Sequence, residues 1–290
     1  MIVHTDEQSV TMEAHGVRLL RYVHDPDPEP TESPKPYLHP LRTLADDVVT
    51  VYRPHDHRWH KGLQMTASHL SGDNFWGGGT YVHESRGYVQ LDNNGSIRHD
   101  SLDVKDGSLS GRLSWRSGRG ELWAEERREI AVRHVAPENG SWELEWHSAI
   151  TGLRAEPLRF GSPTTHGRPQ AGYSGLFWRG PRSFTGGAVI GPDGLAGEEM
   201  MGRQARWLAF HGVHDEVDRS STLVFVPEPG PVSHWFVRSG EFAAVNPSWA
   251  FHEEFELACG ETLDRRYRVV VATGAWTADR IESYLRDRPW

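Results

Sequence analysis

Cysteine is nearly absent from this chain. The one residue, Cys259, excludes any intrachain disulfide. A lone thiol in such a setting reads as a small buried or half-buried side chain rather than a nucleophile. No run approaches the roughly 18 consecutive apolar residues of a membrane span. No block of Lys or Arg interrupts a net charge of −9, so the basic footprint that nucleic acid requires is missing. The same charge disfavours anionic membranes and polyanionic ligands. Residues 1–7 lack a basic stretch followed by an apolar one, the pattern of a secretory signal. The expectation is a soluble, cytoplasmic protein whose partner is a neutral small molecule, with no nucleic acid and no membrane. Oligomeric state leaves no mark in the sequence.

What is present is alternation broken by turns. A chain of 290 residues is long enough to bury a large core without a stapling metal. Residues 10–23 read as a hairpin turning near Ala14-His15-Gly16. Trp142, Leu144 and Trp146 alternate with Glu143 and Glu145, the pattern of a half-buried strand. The segment 121–133 carries a mixed signal and is assigned as a strand leading into the turn 136–140. Further strands are expected at 221–226, 234–237, 254–257 and 266–272. Thr277 is placed to cap a short C-terminal helix with Ile281, Tyr284 and Leu285 on one face. Asn94-Gly95 and Asn139-Gly140 are hairpin signals. The five prolines of residues 25–36 predict an exposed, extended connection within one domain spanning 1–290. Trp76-Gly77-Gly78-Gly79-Thr80 and Gly186-Gly187 match no phosphate loop and read as tight loops needing positive φ. The twelve tryptophans read mostly as core filler. The fold class is all-β, an antiparallel sandwich or barrel with one late helix.

The segment Arg53-Pro54-His55-Asp56-His57-Arg58-Trp59-His60-Lys61-Gly62 concentrates titratable groups as packing rarely requires. In extended backbone His55 and His57 share a face. In a helical turn after Pro54, His57 and His60 share one instead. A metal held by His57 and His60 would need a further ligand from afar, such as His166, His211, His214, His252 or Glu253. Phe251-His252-Glu253-Glu254 offers a carboxylate beside an imidazole at a strand start. The loop containing His166 and Arg168 is polar, and Arg179 is suited to act as a fixed fork for an oxygen-rich ligand. Gly172-Tyr173-Ser174-Gly175 is not a nucleophile elbow.

The segment Pro36-Tyr37-Leu38-His39-Pro40-Leu41, followed by Asp56, His57, His60, Gly62 and Leu63, resembles a bacterial family of unknown function of the DUF6807 type. Its members often carry transferred labels such as "methane oxygenase" or "oxidoreductase". Arg58 stands where that pattern has proline. Gly72-Asp73-Asn74-Phe75-Trp76, Gly175-Leu176-Phe177-Trp178-Arg179, Trp235-Phe236-Val237-Arg238 and Tyr267-Arg268-Val269-Val270-Val271 extend the resemblance over roughly residues 30–275. It implies a β-supersandwich similar to galactose mutarotases, and a place among sugar-catabolism functions. The labels themselves fail, since the chain has no membrane span and no nicotinamide or flavin fingerprint.

The expected activity is therefore a carbohydrate-active enzyme working by mutarotation, epimerisation, or elimination or hydrolysis. His57 and His60 would transfer protons, with Glu253 as carboxylate partner. Trp59 or Trp76 would platform the sugar, while Lys61, Arg179 and His166 bind it. No cofactor is required. The alternatives are a non-catalytic sugar-binding protein and a metal-dependent lyase or oxygenase with His57 and His60 as ligands.

Overall fold

The alternating segment near the N-terminus forms two strands, Ser9–Ala14 and Val17–Val23, which turn at His15 and Gly16, both in the left-handed region. A computed structural model of the protein describes residues 1–230 and 233–290. Its strands make two large antiparallel sheets of eight strands each. The first runs in the order Ile2–Thr5, Ser9–Ala14, Val17–Val23, Tyr37–Leu41, Leu63–Thr66, Gly175–Arg179, Ala244–Ser248, His234–Arg238. The second runs Ala188–Ile190, Leu208–Val213, Ser220–Pro227, Thr262–Thr273, Ser141–Gly152, Leu122–Ala136, Ser108–Arg116, Ser96–Lys105. The strands expected around 121–133, 142–146, 221–226, 234–237, 254–257 and 266–272 are all present.

The sheets are stacked as a sandwich. Trp178 of the first packs on Phe210 and Phe225 of the second, at 5.3 and 5.5 Å between ring centroids. Trp115, Trp142, Trp146, Trp178, Trp207, Trp235 and Trp276 are fully buried, so the indoles are mainly core. A polar link crosses the same core. Arg128 pairs with Glu126 at 2.7 Å and donates to Tyr22 Oη of the facing sheet at 3.1 Å. Trp115 and Ser148 also donate to Glu126, so the buried carboxylate is fully served.

The C-terminal helix Ala278–Arg286 is capped by Thr277, whose Oγ1 accepts from the Arg280 amide at 3.3 Å. Ile281, Tyr284 and Leu285 pack with Trp207, Val224, Val270 and Trp276 over the outer face of the second sheet. This cover corrects the half-buried reading of residues 142–146. Glu143 is fully buried, held 3.2 Å from the Arg268 guanidinium, because the chain end lies over it.

Three other expectations change. The proline-rich segment is exposed or partly exposed only over 25–31. Residues 32–36 are buried, because Glu32 and Lys35 serve as internal charges beneath the histidine loop. Asn94-Gly95 turns no hairpin. Asn94 bridges Asn74, and Gly95 lies where a Cβ would meet the Phe75 ring at 2.5 Å. Cys259 is exposed rather than buried. Among the described residues no helix is long and apolar enough to cross a membrane.

Candidate active site

Strand alternation places the site on the outer face of the first sheet. In Gly175–Arg179, Leu176 and Trp178 point into the main core while Phe177 and Arg179 point away from it. In His234–Arg238, Trp235 and Val237 face the core while Phe236 joins Phe177 on the other side. The histidine segment loops over this face. It leaves the sheet at Val51 and returns at Gly62, closed by hydrogen bonds from Arg53 N to His60 O (2.9 Å) and from Gly62 N to Val51 O (2.8 Å). Two successive turns follow Pro54, with His57 N on Pro54 O and His60 N on His57 O, both at 3.0 Å. The turn reading is therefore the realised one, and His57 and His60 share a face. Gly62 has φ +60°, and a Cβ there would meet Leu38 O at 2.1 Å. Only glycine closes this loop so near the sheet.

The two rings stack, 4.6 Å between centroids and 14° between planes. Charged partners fix opposite protonation on them. Asp56 Oδ2 lies 2.8 Å from His57 Nδ1 and accepts from Arg179 Nη2 at 2.9 Å. Burial alone would raise the Asp56 pKa, but the hydrogen bonds from Arg179 and His57 hold it well below the usual carboxylate range. An ionised carboxylate only accepts, so His57 keeps its proton on Nδ1 and presents a free Nε2 lone pair. Arg179 Nη1 sits 2.8 Å from His60 Nδ1. A guanidinium only donates, so His60 accepts at Nδ1 and carries its proton on Nε2. That Nε2 is buried and has no hydrogen-bond partner among the described residues. Burial, with His57 and Arg179 adding to it, pushes the His60 pKa well below that of free imidazole. Burial also lowers His57, while Asp56 pulls it partly back.

The rings line a cavity of about 440 Å³. Trp59, Trp76, Phe177, Phe236, Phe242 and Tyr173 form its aromatic walls. Tyr88, Arg168, Arg238 and Glu241 bring polar groups to it. Trp59 is seated by the glycine tract. A Cβ at Gly77 would meet its Cβ at 2.4 Å, and one at Gly78 would meet its ring at 2.5 Å. Both glycines have positive φ, as a tight loop requires. Lys35 Nζ anchors the same tract from below, donating to Trp76 O at 2.9 Å and Ser33 O at 2.6 Å.

His57, His60, Trp59 and Trp76 thus come together as expected, and four other expected positions do not. Lys61 lies beneath the loop, almost fully buried, with its ammonium 2.8 Å from Glu32. Arg179 does not line the cavity. It stands behind His60, stacked 3.8 Å from the Phe242 centroid, and positions the imidazoles. His166 lines a separate pocket with His69, Arg154, Arg159 and Glu254. Glu253 is exposed and absent from the cavity wall, because Phe251 takes the inward place in that segment. Asp56 is the carboxylate that serves His57. His55 turns outward to Arg182. Of the residues missed, Arg168, Tyr173 and Arg238 lie inside segments already noted as polar or motif-like. Tyr88, Glu241 and Phe242 carry no local signal.

His60 therefore cannot act as a full proton donor. Losing its Nε2 proton would leave an imidazolate, since Nδ1 already accepts from Arg179. A neutral imidazole in this state is a fixed electrophile, a hydrogen-bond donor to an oxygen that gains charge. The pair is also ill suited to metal. Ligand lone pairs lie in the ring planes and must meet at one ion about 2.0–2.1 Å away, whereas these planes are nearly parallel and stacked. Among the described residues no group of three or more His, Cys, Asp or Glu is arranged to hold a metal ion.

The model of a family of unknown function, DUF6807, matches residues 9–286 of the chain. Among solved structures, the chain is similar to the GH36 α-galactosidase AgaA of Geobacillus stearothermophilus, with a TM-score of 0.44 and 10% identity. That alignment covers 92% of this chain but spans only 40% of the galactosidase. A second similar structure is HI1317, with a TM-score of 0.33 and 9% identity over 92% of this chain and 99% of that one. None of the curated proteins matches.

Proposed function

The chain belongs to the DUF6807 family, and from that premise we propose that it is a carbohydrate-active enzyme using imidazole acid–base chemistry. The observation that carries the proposal is the stacked pair His57 and His60 with opposed tautomers, at the wall of an aromatic cavity. His57 Nε2 takes a proton from a sugar hydroxyl, or from a carbon beside a carbonyl, and afterwards returns it. The His60 Nε2–H holds the oxygen on which charge develops, and Arg179 keeps that tautomer in place. Trp59 and Trp76 supply flat apolar surface for a sugar ring. Mutarotation, epimerisation and elimination or hydrolysis on a sugar ring all need this division between a base and an oxygen-stabilising donor. A protein that only binds sugar has use for the aromatic walls but none for a carboxylate behind the base.

The test is proton NMR of a panel of sugars and glycosides with the wild-type protein and with His57→Ala. Anomer interconversion, loss of a carbon-bound proton to deuterium, and new products are followed together. The expected result is turnover of at least one sugar, reduced by roughly 10²–10⁴ in the variant, with unchanged circular dichroism. Equal rates in both proteins would remove His57 from the chemistry. Binding without turnover of any sugar would leave a binding protein.

A further inference from the structure

Two guanidiniums on the cavity wall have no carboxylate within 4 Å among the described residues, although Arg238 lies near enough to Glu198 to lower that acid's pKa. Arg168 donates to Tyr88 Oη and lies 5.0 Å from that ring's centroid. Arg238 donates to Gln170 O at 3.1 Å and lies 5.3 Å from the Phe236 centroid. Neither makes an ion pair among the described residues, whereas Arg53, Arg128, Arg179 and Arg219 each meet a carboxylate within 3 Å. Both side chains are also held. Arg168 is fixed through Tyr88, whose hydroxyl lies 2.7 Å from Tyr173 Oη, and Arg238 is tied to the backbone beside Arg168. Stacked, hydrogen-bonded guanidiniums lose little freedom when they take up a planar anion.

We propose that the cavity selects a sugar carrying one carboxylate, a hexuronate or a glycoside of one, with Arg168 and Arg238 as the residues that read the acid group. This rests on the sugar-directed reading above and narrows its substrate class. It also reverses, for this cavity, the neutral ligand expected from net charge. The charge count fixes the anion as single. Arg168 and Arg238 bring two positive charges to the wall and Glu241 one negative charge. The Asp56 carboxylate is matched by Arg179, and His57 and His60 are neutral in the pairing described. Glu198, which also feels Arg238, is off the wall and held by the Ser239 and Gly240 amides. Among the lining groups one positive charge remains, which complements a carboxylate and leaves a phosphate dianion facing Glu241 with its second charge unmatched.

The test measures binding by quenching of tryptophan fluorescence, since Trp59 and Trp76 line the cavity. Ligands are taken in matched sets that differ only at C6: a hexuronate, the corresponding neutral hexose and the hexose 6-phosphate, each also as its methyl glycoside. The expected result is that at least one uronate binds tenfold or more tighter than its neutral partner. That advantage shrinks with added salt and falls at least tenfold in Arg168→Gln/Arg238→Gln, with circular dichroism unchanged. Equal affinity for uronate and hexose, preference for the phosphate, or an unaltered uronate advantage in the double variant would each overturn the proposal while leaving a sugar site intact. No response to any ligand in the sets, with no turnover in the NMR panel, would remove the sugar reading itself.

Discussion

Among the described residues, two stacked imidazole pairs look alike in ring geometry and differ in what stands behind them. His57 and His60 lie 4.6 Å apart at 14°, and His69 and His166 lie 4.0 Å apart at 16°. In the first pair each Nδ1 meets an ionised group, Asp56 or Arg179, at 2.8 Å. In the second, His166 Nδ1 meets Ser162 O at 3.0 Å, its Nε2 is 3.6 Å from Glu254, and His69 Nε2 is buried with no hydrogen-bond partner among the described residues. The first pair faces aromatic walls, while the second opens on a pocket of about 320 Å³ lined by Arg154, Arg159 and Glu254. Two stacked histidines can thus stand in quite different electrostatic settings. A charged partner that fixes each tautomer is what separates the pairs.

Removing that partner breaks the comparison most sharply. Asp56→Asn leaves the stack in place but no longer requires the His57 proton to sit on Nδ1. Turnover of the sugar identified by NMR should fall by roughly 10²–10⁴, with ligand affinity changed far less. Steady-state kcat and fluorescence-detected binding, measured on the same preparation, check this split.

The second largest effect concerns how each pair is mounted. The first loop rests on buried charge. Glu32 holds the Lys61 ammonium at 2.8 Å and the Arg53 guanidinium at 2.5 Å. Glu32→Gln strands Lys61 in the interior and should cost about 3–5 kcal/mol of stability. The second pair hangs on a hydrogen-bonded turn in which Thr165 Oγ1 donates to Ser162 O at 2.9 Å. Thr165→Val should cost only about 0.5–1.5 kcal/mol. Urea unfolding of the two variants gives the ratio directly.

This difference in mounting also explains what the sequence could and could not reveal. The hairpin at 10–23, the strand around 121–133 and the Thr277 cap rest on local pattern, and local pattern placed them correctly. The convergence of His57 and His60 was one of the two arrangements the spacing allowed, and the turns after Pro54 realise it. Glu32 and Lys35 sit among prolines, a composition that signals exposure, and only the loop folding over them makes them internal. Arg179 has the composition of a ligand contact, but strand alternation aims it at the back of His60. Glu253 lost its inward place to Phe251 two residues away, a choice set by packing and invisible in spacing. Tyr88 and Phe242 reach the cavity from segments distant in sequence, so nothing local marks them.

Titration sharpens the comparison further. His57 works as a base only when neutral, and its pKa lies below the free value of 6.5. Turnover should rise with pH through that lowered value and level off above it. Asp56 is what holds the His57 pKa up against burial, so the residual activity of Asp56→Asn should show its acid limb at lower pH. A pH–rate profile of both proteins measures the displacement. The second pair is read in stability. Burial, then the neighbouring His166, lowers His69 to about 3. Between that value and the unfolded value near 6.5, the unfolded chain binds the extra proton. Stability from this group is complete above 6.5 and lost as pH falls towards 3. His69→Gln should flatten the fall of the unfolding midpoint between pH 6.5 and 4.

The smallest expected effect tests the contrast from the other side. His166→Ala removes one member of the second stack, and with it the hydrogen bond to Ser162 O and the contact with Glu254. Arg168, two residues on, keeps its own anchor on Tyr88 and its backbone bond to Pro163 O at 2.8 Å, so the cavity wall is not released. Turnover should stay within about twofold of wild type, since remote surface changes are usually worth no more than about 0.5 kcal/mol. A loss comparable to that of Asp56→Asn would mean that His166 reaches the chemistry, and the division between a polarised pair and an unpolarised one would fall. A small loss confined to uronates, with neutral sugars unaffected, would instead trace to Arg168 and place the effect on ligand recognition rather than on proton transfer.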